Sequence, residues 1–457
     1  MIIRNLRQYL PLLTQYTELR SQENRVLNIT YLKGNLVQNV KNSNGGISAR
    51  VYRNGSWGFA STPQMSDVKA VIEAATSNAM FLDSRENKGL APFEPDSPVV
   101  EKNFGTSKPR LSQKEIMDFI KEVDSYIVTK YPELSSRSIG LNCLDMEKTL
   151  ITSDGASLYS LLPRSIFRIS LSLDRNGDPV EVYETAGGLG QFEDHFTAPE
   201  DLFPTIDELY EHLVKKSEGV YADAGVKECV LDAALAGILA HEAIGHTTEA
   251  DLVLGGSVAA DYLGKQAASP LVTLVDIAHI YDGKDCPMPI YIDDEGTTAE
   301  DVVIIDQGIL KGYMHNKQSA RHFGVKPTGN ARAYEYMDEP LIRMRNTAIM
   351  PGTSKLDDMI ASIEDGYYLI KPSNGQADTT SEFMFGVVLG YEIKNGKLGR
   401  AIKDTTISGV AFDVLQNVTM ISDEMKWSCA GMCGKKQIIP VGMGGPAIKT
   451  KINIGGR

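Results

Sequence analysis

The sequence predicts an α+β protein, and three observations carry that prediction. Alternating segments near 136–143, 149–153 and 165–183 read as antiparallel strands. Segments with helical spacing fall mostly in the first half of the chain. From about residue 226 a glycine-rich, strand-rich region begins and runs to the end. The arrangement expected is an N-terminal α/β domain over 1–225 and a β-rich C-terminal domain over 226–457, with a sub-boundary near 90–108.

The elements follow in order. Residues 5–22 read as a helix. The stretches ITYLKGNLVQNV and ISARVYR read as strands, with turns at Asn44-Gly45-Gly46 and Asn54-Gly55. Helical spacing returns over 66–84 behind Ser66 as a cap. Pro92, Pro95 and Pro98 mark 90–108 as a linker. Ser112-x-x-Glu115 is a capping box opening a helix to about residue 130, and Thr205-x-x-Glu208 opens another. Hairpin turns are expected at Asp306-Gln307-Gly308 and Asn395-Gly396. No fixed-period repeat or low-complexity tract interrupts this pattern.

Composition narrows the function. With 42% apolar and 23% charged residues, a chain of 457 residues can bury a large core without staples. A formal charge of −13 argues against nucleic acid as a ligand, leaving only small basic patches such as Lys435–Lys436. The five cysteines are odd in number and scattered, which argues against a secreted disulfide framework. The N-terminus lacks a signal-peptide pattern, and no stretch approaches the roughly 20 apolar residues of a membrane span. A cytoplasmic protein with no membrane partner is expected.

The strongest chemical signal is CVLDAALAGILAHEAIGH, residues 229–246. Val230–Leu231 reads as a strand end, and Asp232 as the N-cap of a helix starting at Ala233. That helix is apolar nearly all round, so it should be buried. Burying His241, Glu242 and His246 is costly, and a metal accounts for all three together. The spacing is His-Glu-x-x-x-His. On a straight α-helix residues five apart lie about 140° apart, so Gly245 is expected to end or distort the helix, with His241 on the last turn and His246 just past it. Glu242 is placed to act as general base on a water held by the metal. Catalytic zinc normally has three protein ligands. Glu249 and Asp251 are the local candidates for the third, and Cys433 in GMCGKKQ is the distant one. Cys429 and Cys433 also read as a redox pair or as buried small hydrophobes.

The chain resembles the TldD/PmbA family, the TldD–TldE peptidases once called modulators of DNA gyrase. The resemblance runs through YTELR (16–20), GSWGFAST (55–62), HEAIGHTTEAD (241–251), LKGYMHNKQSARHFG (310–324), TGNAR (328–332) and CGKKQIIPVGMGGP (433–446). It implies a zinc site in the C-terminal domain held by His241, His246 and Cys433, with Glu242 as the catalytic carboxylate. Of the paired subunits, only the TldD type keeps the His-Glu-x-x-x-His motif, so the chain looks like the TldD type. The family's CGK-x-GQ stretch is one glycine short here, at Cys433-Gly434-Lys435-Lys436-Gln437.

The expected function is therefore a zinc-dependent peptidase acting on unfolded or short peptides. The resemblance implies a homodimer or a heterodimer with a TldE-type subunit. The alternatives are a regulatory protein with a structural zinc and a metal-dependent hydrolase of another amide. Asn330 and Arg332 are candidate substrate anchors, since arginine can clamp a carboxylate, or else parts of a structural ion pair. Gly444 and Gly445 either mark a turn or a close backbone approach or are candidates for admitting an extended substrate chain, added as a strand at a sheet edge. The glycines at 187–190 and 442–445 sit in no phosphate-binding motif. His279, His315 and His322 lack paired ligands at usable spacing and read as structural, and Tyr16 with Arg20 as a packed helix face.

Overall fold

The structure is a computed structural model and describes residues 2–82, 93–175 and 177–456. Its first half is one large sheet. Strands β1 (Tyr16–Leu32), β2 (Asn35–Arg53) and β3 (Ser56–Thr62) lead into helix α1 (Val68–Phe81). Strand β4 (Val99–Asn103), helix α2 (Gln113–Lys130), strands β5 (Ser136–Thr152), β6 (Ser157–Arg175) and β7 (Asp178–Leu189), and helix α3 (Phe203–Ser217) complete it. The strand order is β3-β2-β1-β5-β6-β4, with β7 also paired to β6. Antiparallel pairing dominates, as expected, and only β4 runs parallel to its neighbour. Helices α2 and α3 cover one face through Phe119, Ile120, Ile206 and Leu209 against Ile29, Phe167 and Val182.

Several local expectations hold. Ser112 Oγ accepts from the Glu115 N–H at 3.3 Å while the Glu115 carboxylate accepts from the Ser112 N–H at 2.6 Å, which closes the capping box. The Asn54-Gly55, Gln307-Gly308 and Asn395-Gly396 turns have both residues at positive φ, the geometry tight hairpins require.

Others are overturned. The helix expected over 5–22 is a short 3₁₀ turn, Leu6–Leu12, followed by β1. Both faces of β1 are buried, because Glu18, Arg20, Gln22 and Asn24 pack against the second half of the chain. A strand so enclosed loses the in–out alternation that identifies strands in sequence. Asn44-Gly45-Gly46 makes no turn but lies inside β2; the hairpin turns at Lys33-Gly34 instead. The second helical cap is also misplaced, since α3 starts at Phe203 with Pro204 in its first turn and Thr205 already inside. Ser66 caps nothing; Asp67 holds that position. Of the expected linker, 90–92 lies outside the described residues, and 99–103 is β4.

Among the described residues, the second half holds two further large sheets around one core, with three two-stranded ribbons beside them. Strand β8 (Gly225–Leu231) runs into helix α4 (Ala233–Ile238). Strands β9 (Leu274–Ile277), β10 (Val302–Asp306), β11 (Ile309–Leu310) and β12 (Asn346–Ile349) follow. Then come β13 (Asp365–Ala377), β14 (Glu382–Lys394), β15 (Lys397–Ile402) and β16 (Thr405–Val410). The chain closes with β17 (Lys426–Ser428), β18 (Met432–Lys435), β19 (Gln437–Pro440), β20 (Gly442–Gly445) and β21 (Ile448–Ile454). One sheet has the order β13-β8-β21-β16-β14-β15, the other β11-β10-β9-β12-β20-β17. Leu235, Leu239, Ala243 and Ile244 share the core that contains strand residues of both sheets. No helix among the described residues is long and apolar enough to cross a membrane.

Candidate metal centre

Helix α4 leaves the end of β8 with Asp232 in extended conformation at its N-cap, as the sequence predicts. Of the two outcomes expected at Gly245, the helix is distorted and not ended. The helix widens into a π-helical turn over Leu239–Gly245, and the His246 N–H donates to the His241 carbonyl, five residues back. In a π turn residues five apart stack on one face. The wider turn solves the angular problem that the five-residue spacing poses, and both imidazoles meet without the helix ending. Their ring centroids are 5.4 Å apart.

Gly245 is helical and serves packing. A Cβ there would collide with the Met344 thioether, which is fully buried. Gly245→Val should therefore cost about 1–3 kcal/mol by overpacking. A lower urea midpoint with an unchanged slope is the expected readout.

Cys433 reaches the helix from the far end of the sequence. It lies in the β18–β19 hairpin, where it pairs with Ile439, and the turn places Lys436 at φ 59° where glycine would be easier. Two arginines hold this hairpin. Arg343 donates to the Cys433 carbonyl at 2.6 Å and to the Gln437 carbonyl at 2.9 Å, and Arg332 donates to the Pro440 carbonyl at 2.9 Å. Cys433 Sγ lies 3.3 Å from His246 Nε2. One ligand atom from each of His241, His246 and Cys433 lies within 4.8 Å of the others.

The electrostatics of this cluster are unusual. Burial alone would push the Cys433 thiol up, but His241 and His246 outweigh it and bring the pKa down to about 4. Burial would lower the pKa of His246, yet Glu249 and the Cys433 sulfur hold it well above the ordinary histidine value. His246 Nδ1 lies 2.9 Å from Glu249 Oε2, and Glu249 is itself held below the usual carboxylate range, against its burial, by His246 and Lys435. Both nitrogens of His241 are buried without a protein partner, a costly state for a polar ring. Glu242 Oε2 is 3.6 Å from His246 Nε2, and its side chain is partly exposed.

The four candidate substrate contacts lie elsewhere than expected. Asn330 is fully buried and donates to Asp276 and the Arg343 carbonyl. Arg332 is buried and donates to the Met344 and Pro440 carbonyls. Both are parts of the scaffold behind the hairpin. Gly444 and Gly445 form β20, which is flanked by β12 and β17 and so offers no free edge. A Cβ on Gly444 would strike the Trp427 ring, so this glycine allows close packing. His315 is buried, with Nδ1 3.1 Å from Ser319 Oγ, and neither it, His279 nor His322 joins the cluster. Sequence reasoning missed Arg343, which lies in the alternating run Leu341–Arg345 with no motif to mark it.

Thiolate and imidazole donors gathered beside a carboxylate are the equipment of a metal-dependent hydrolase on an α+β scaffold. Residues 224–456 match the model of the PmbA/TldA metallopeptidase C-terminal domain, and 17–79 match that of the PmbA/TldA metallopeptidase domain 1. The chain belongs to the PmbA/TldD metallopeptidase family. It is 31% identical over 417 residues to a zinc metalloprotease TldD homolog of Saccharolobus solfataricus, covering 90% of each chain. A metalloprotease TldD homolog of Buchnera aphidicola from Acyrthosiphon pisum is 35% identical over 434 residues, covering 91% of this chain and 87% of the other. The fold is similar to that of TldE from Thermococcus kodakarensis, with a TM-score of 0.77, 16% identity and 98% of each chain covered.

Proposed function

We propose that the chain is a TldD-type zinc peptidase that hydrolyses unfolded or short peptides, with His241, His246 and Cys433 as the zinc ligands and Glu242 as the catalytic carboxylate. The observation that carries this reading is the approach of the Cys433 sulfur to His246, across 187 residues of sequence. The donor set fits zinc: two imidazoles and one thiolate leave a fourth position open, as catalytic zinc sites do. A metal on His241 would also give a partner to a ring that has none in the protein.

Zinc bound there would polarise a peptide carbonyl and lower the pKa of water toward neutrality. The chain's own residues do the rest. Glu242 is adjacent in sequence to His241, its carboxylate faces His246, and it stays outside the three-donor cluster. In this role it takes a proton from the attacking water and returns it to the leaving amine. The hydrogen bond between Glu249 and His246 Nδ1 leaves Nε2 directed at the cluster. Zinc content by atomic emission, followed by hydrolysis of an unfolded casein with and without chelator, tests the reading. Protein that binds zinc stoichiometrically and loses hydrolysis on its removal supports it, and full hydrolysis in the metal-free protein sinks it.

Assembly belongs to the same proposal: a homodimer or a heterodimer with a TldE-type subunit. Leu32, Leu36, Val37 and Val40 are exposed together at the tip of the β1–β2 hairpin, an apolar crowding that a partner would cover. Light scattering should report at least a dimer, with a buried interface above about 1,000 Å². A monomer at micromolar concentration with full activity is the contrary result.

A further inference from the structure

Beside the three donors lies a second set of charges, Glu249, Asp251 and Lys435. Glu249 is fully buried and Lys435 nearly so. The Glu249 carboxylate touches both halves of the cluster: Oε2 is 2.9 Å from His246 Nδ1 and 3.3 Å from Lys435 Nζ. Lys435 is two residues past Cys433 in the same hairpin. Its ammonium also contacts Asp251 at 2.7 Å and donates to the Ile342 carbonyl at 3.1 Å. The helix that carries His246 and the hairpin that carries Cys433 come from opposite ends of the C-terminal half, and this ion chain links them beside the donors. Glu249 Oε1 has no partner and is buried, so the carboxylate's polar contacts are concentrated on Oε2.

We propose that Glu249 and Lys435 are the positioning residues of the centre, Glu249 fixing His246 with its proton on Nδ1 and Nε2 toward Cys433, and Lys435 locking that carboxylate to the cysteine hairpin. This rests on the zinc reading above. A histidine ligand whose far nitrogen donates to a carboxylate is held in tautomer and ring orientation and made a better donor. Here the carboxylate does a further task. Because Lys435 belongs to the cysteine strand, the contact that orients the imidazole also sets the distance between imidazole and thiolate. A local Glu249 alone would orient one ligand; the pair registers two.

The test uses the full chain, with zinc affinity from competition with a chromophoric chelator and cobalt(II) as a spectroscopic probe. Glu249→Leu should weaken zinc binding about 10–100-fold, the usual cost of an outer partner. Glu249→Gln keeps an acceptor for the Nδ1 proton and should recover much of that loss. Lys435→Met should weaken binding several-fold, and its effect should vanish when Glu249 is already leucine. In cobalt-loaded Glu249→Leu the ligand-field bands should move while the thiolate charge-transfer band persists. A merely structural role would lower the thermal midpoint without moving those bands. Should Glu249→Leu fail to fold, Glu249→Gln and Lys435→Met singly and together decide the matter. Lys435→Met with unaltered zinc affinity and unaltered bands overturns the proposal, as does Glu249→Leu binding zinc within about threefold of wild type. Wild-type chain that binds neither metal overturns the zinc reading instead, so the two failures are separable.

Discussion

Glu242→Gln should keep zinc and lose about 10²–10⁴-fold in peptide hydrolysis, the range that a positioned proton-transfer group contributes. The change is nearly isosteric and removes the negative charge and with it the ability to accept a proton. Glu242 lies outside the three-donor cluster, with Oε2 3.6 Å from His246 Nε2, and its side chain is 23% exposed, so the amide meets no new burial cost. The fold should therefore be untouched and the metal content equal to wild type. The loss should appear in kcat, with KM little changed, because the proton moves only in the transition state. Zinc missing from the variant would make Glu242 a ligand. Hydrolysis at wild-type rate would remove it from the mechanism. The same variant separates the rival readings: a protein with a structural zinc has no hydrolysis to lose.

The sequence made His241, Glu242 and His246 stand out because they form one short-range pattern, whereas the third donor stayed open among Glu249, Asp251 and Cys433 until the family resemblance pointed to Cys433. His241, Glu242 and His246 stand in one apolar helix, and an apolar helix has few reasons to bury three polar groups. How the helix accommodates them was hidden. Glycine before the second histidine reads as an end or a distortion of the helix without deciding between them, and Gly245 makes room for Met344, a residue almost a hundred positions later. Backbone hydrogen-bond register is a cooperative property of the packed helix, and residue types alone do not report it. The same limit applies to β1. Its Glu18, Arg20 and Gln22 are polar residues that nonetheless lie buried, and only the contacts of Arg20 with Asp338, of Gln22 with Tyr334, and of Glu18 through Arg50 to Glu295 reveal a strand enclosed on both sides. Turns written in local residue chemistry, such as Asn54-Gly55 and Asn395-Gly396, were legible. For Gly442–Gly445 the sequence left close backbone approach and an open substrate loop both standing, because glycine serves either, and the Trp427 ring against Gly444 shows the first.

The largest effect on metal should come from Cys433→Ser. Apparent zinc affinities of about 10–16 kcal/mol for four-ligand structural sites imply roughly 3 kcal/mol per donor, so losing the thiolate should weaken zinc binding by about two orders of magnitude or more. Serine preserves size, and the hairpin is held through backbone carbonyls by Arg343 and Arg332, so the chain should fold. The hydroxyl will not ionise near neutrality as the thiol does, with its pKa brought down to about 4 against the cost of burial by His241 and His246. This fixes the sign of the pH dependence in the wild type. The thiolate persists down to about pH 4, so the proton that zinc must displace is on a histidine. His246 is held well above the ordinary histidine value, so affinity should fall as pH drops below that raised pKa, by about tenfold per unit for one displaced proton. In Cys433→Ser one of the two groups that raise His246 is gone, and Glu249 alone remains. The decline in affinity should then begin at a lower pH, from a much weaker plateau. Competition titrations with a chelator across pH 5–9, on both proteins, measure plateau and onset together. A Cys433→Ser protein with wild-type affinity would remove the thiol from the ligand set, and the third donor would then have to come from the carboxylates nearest His246.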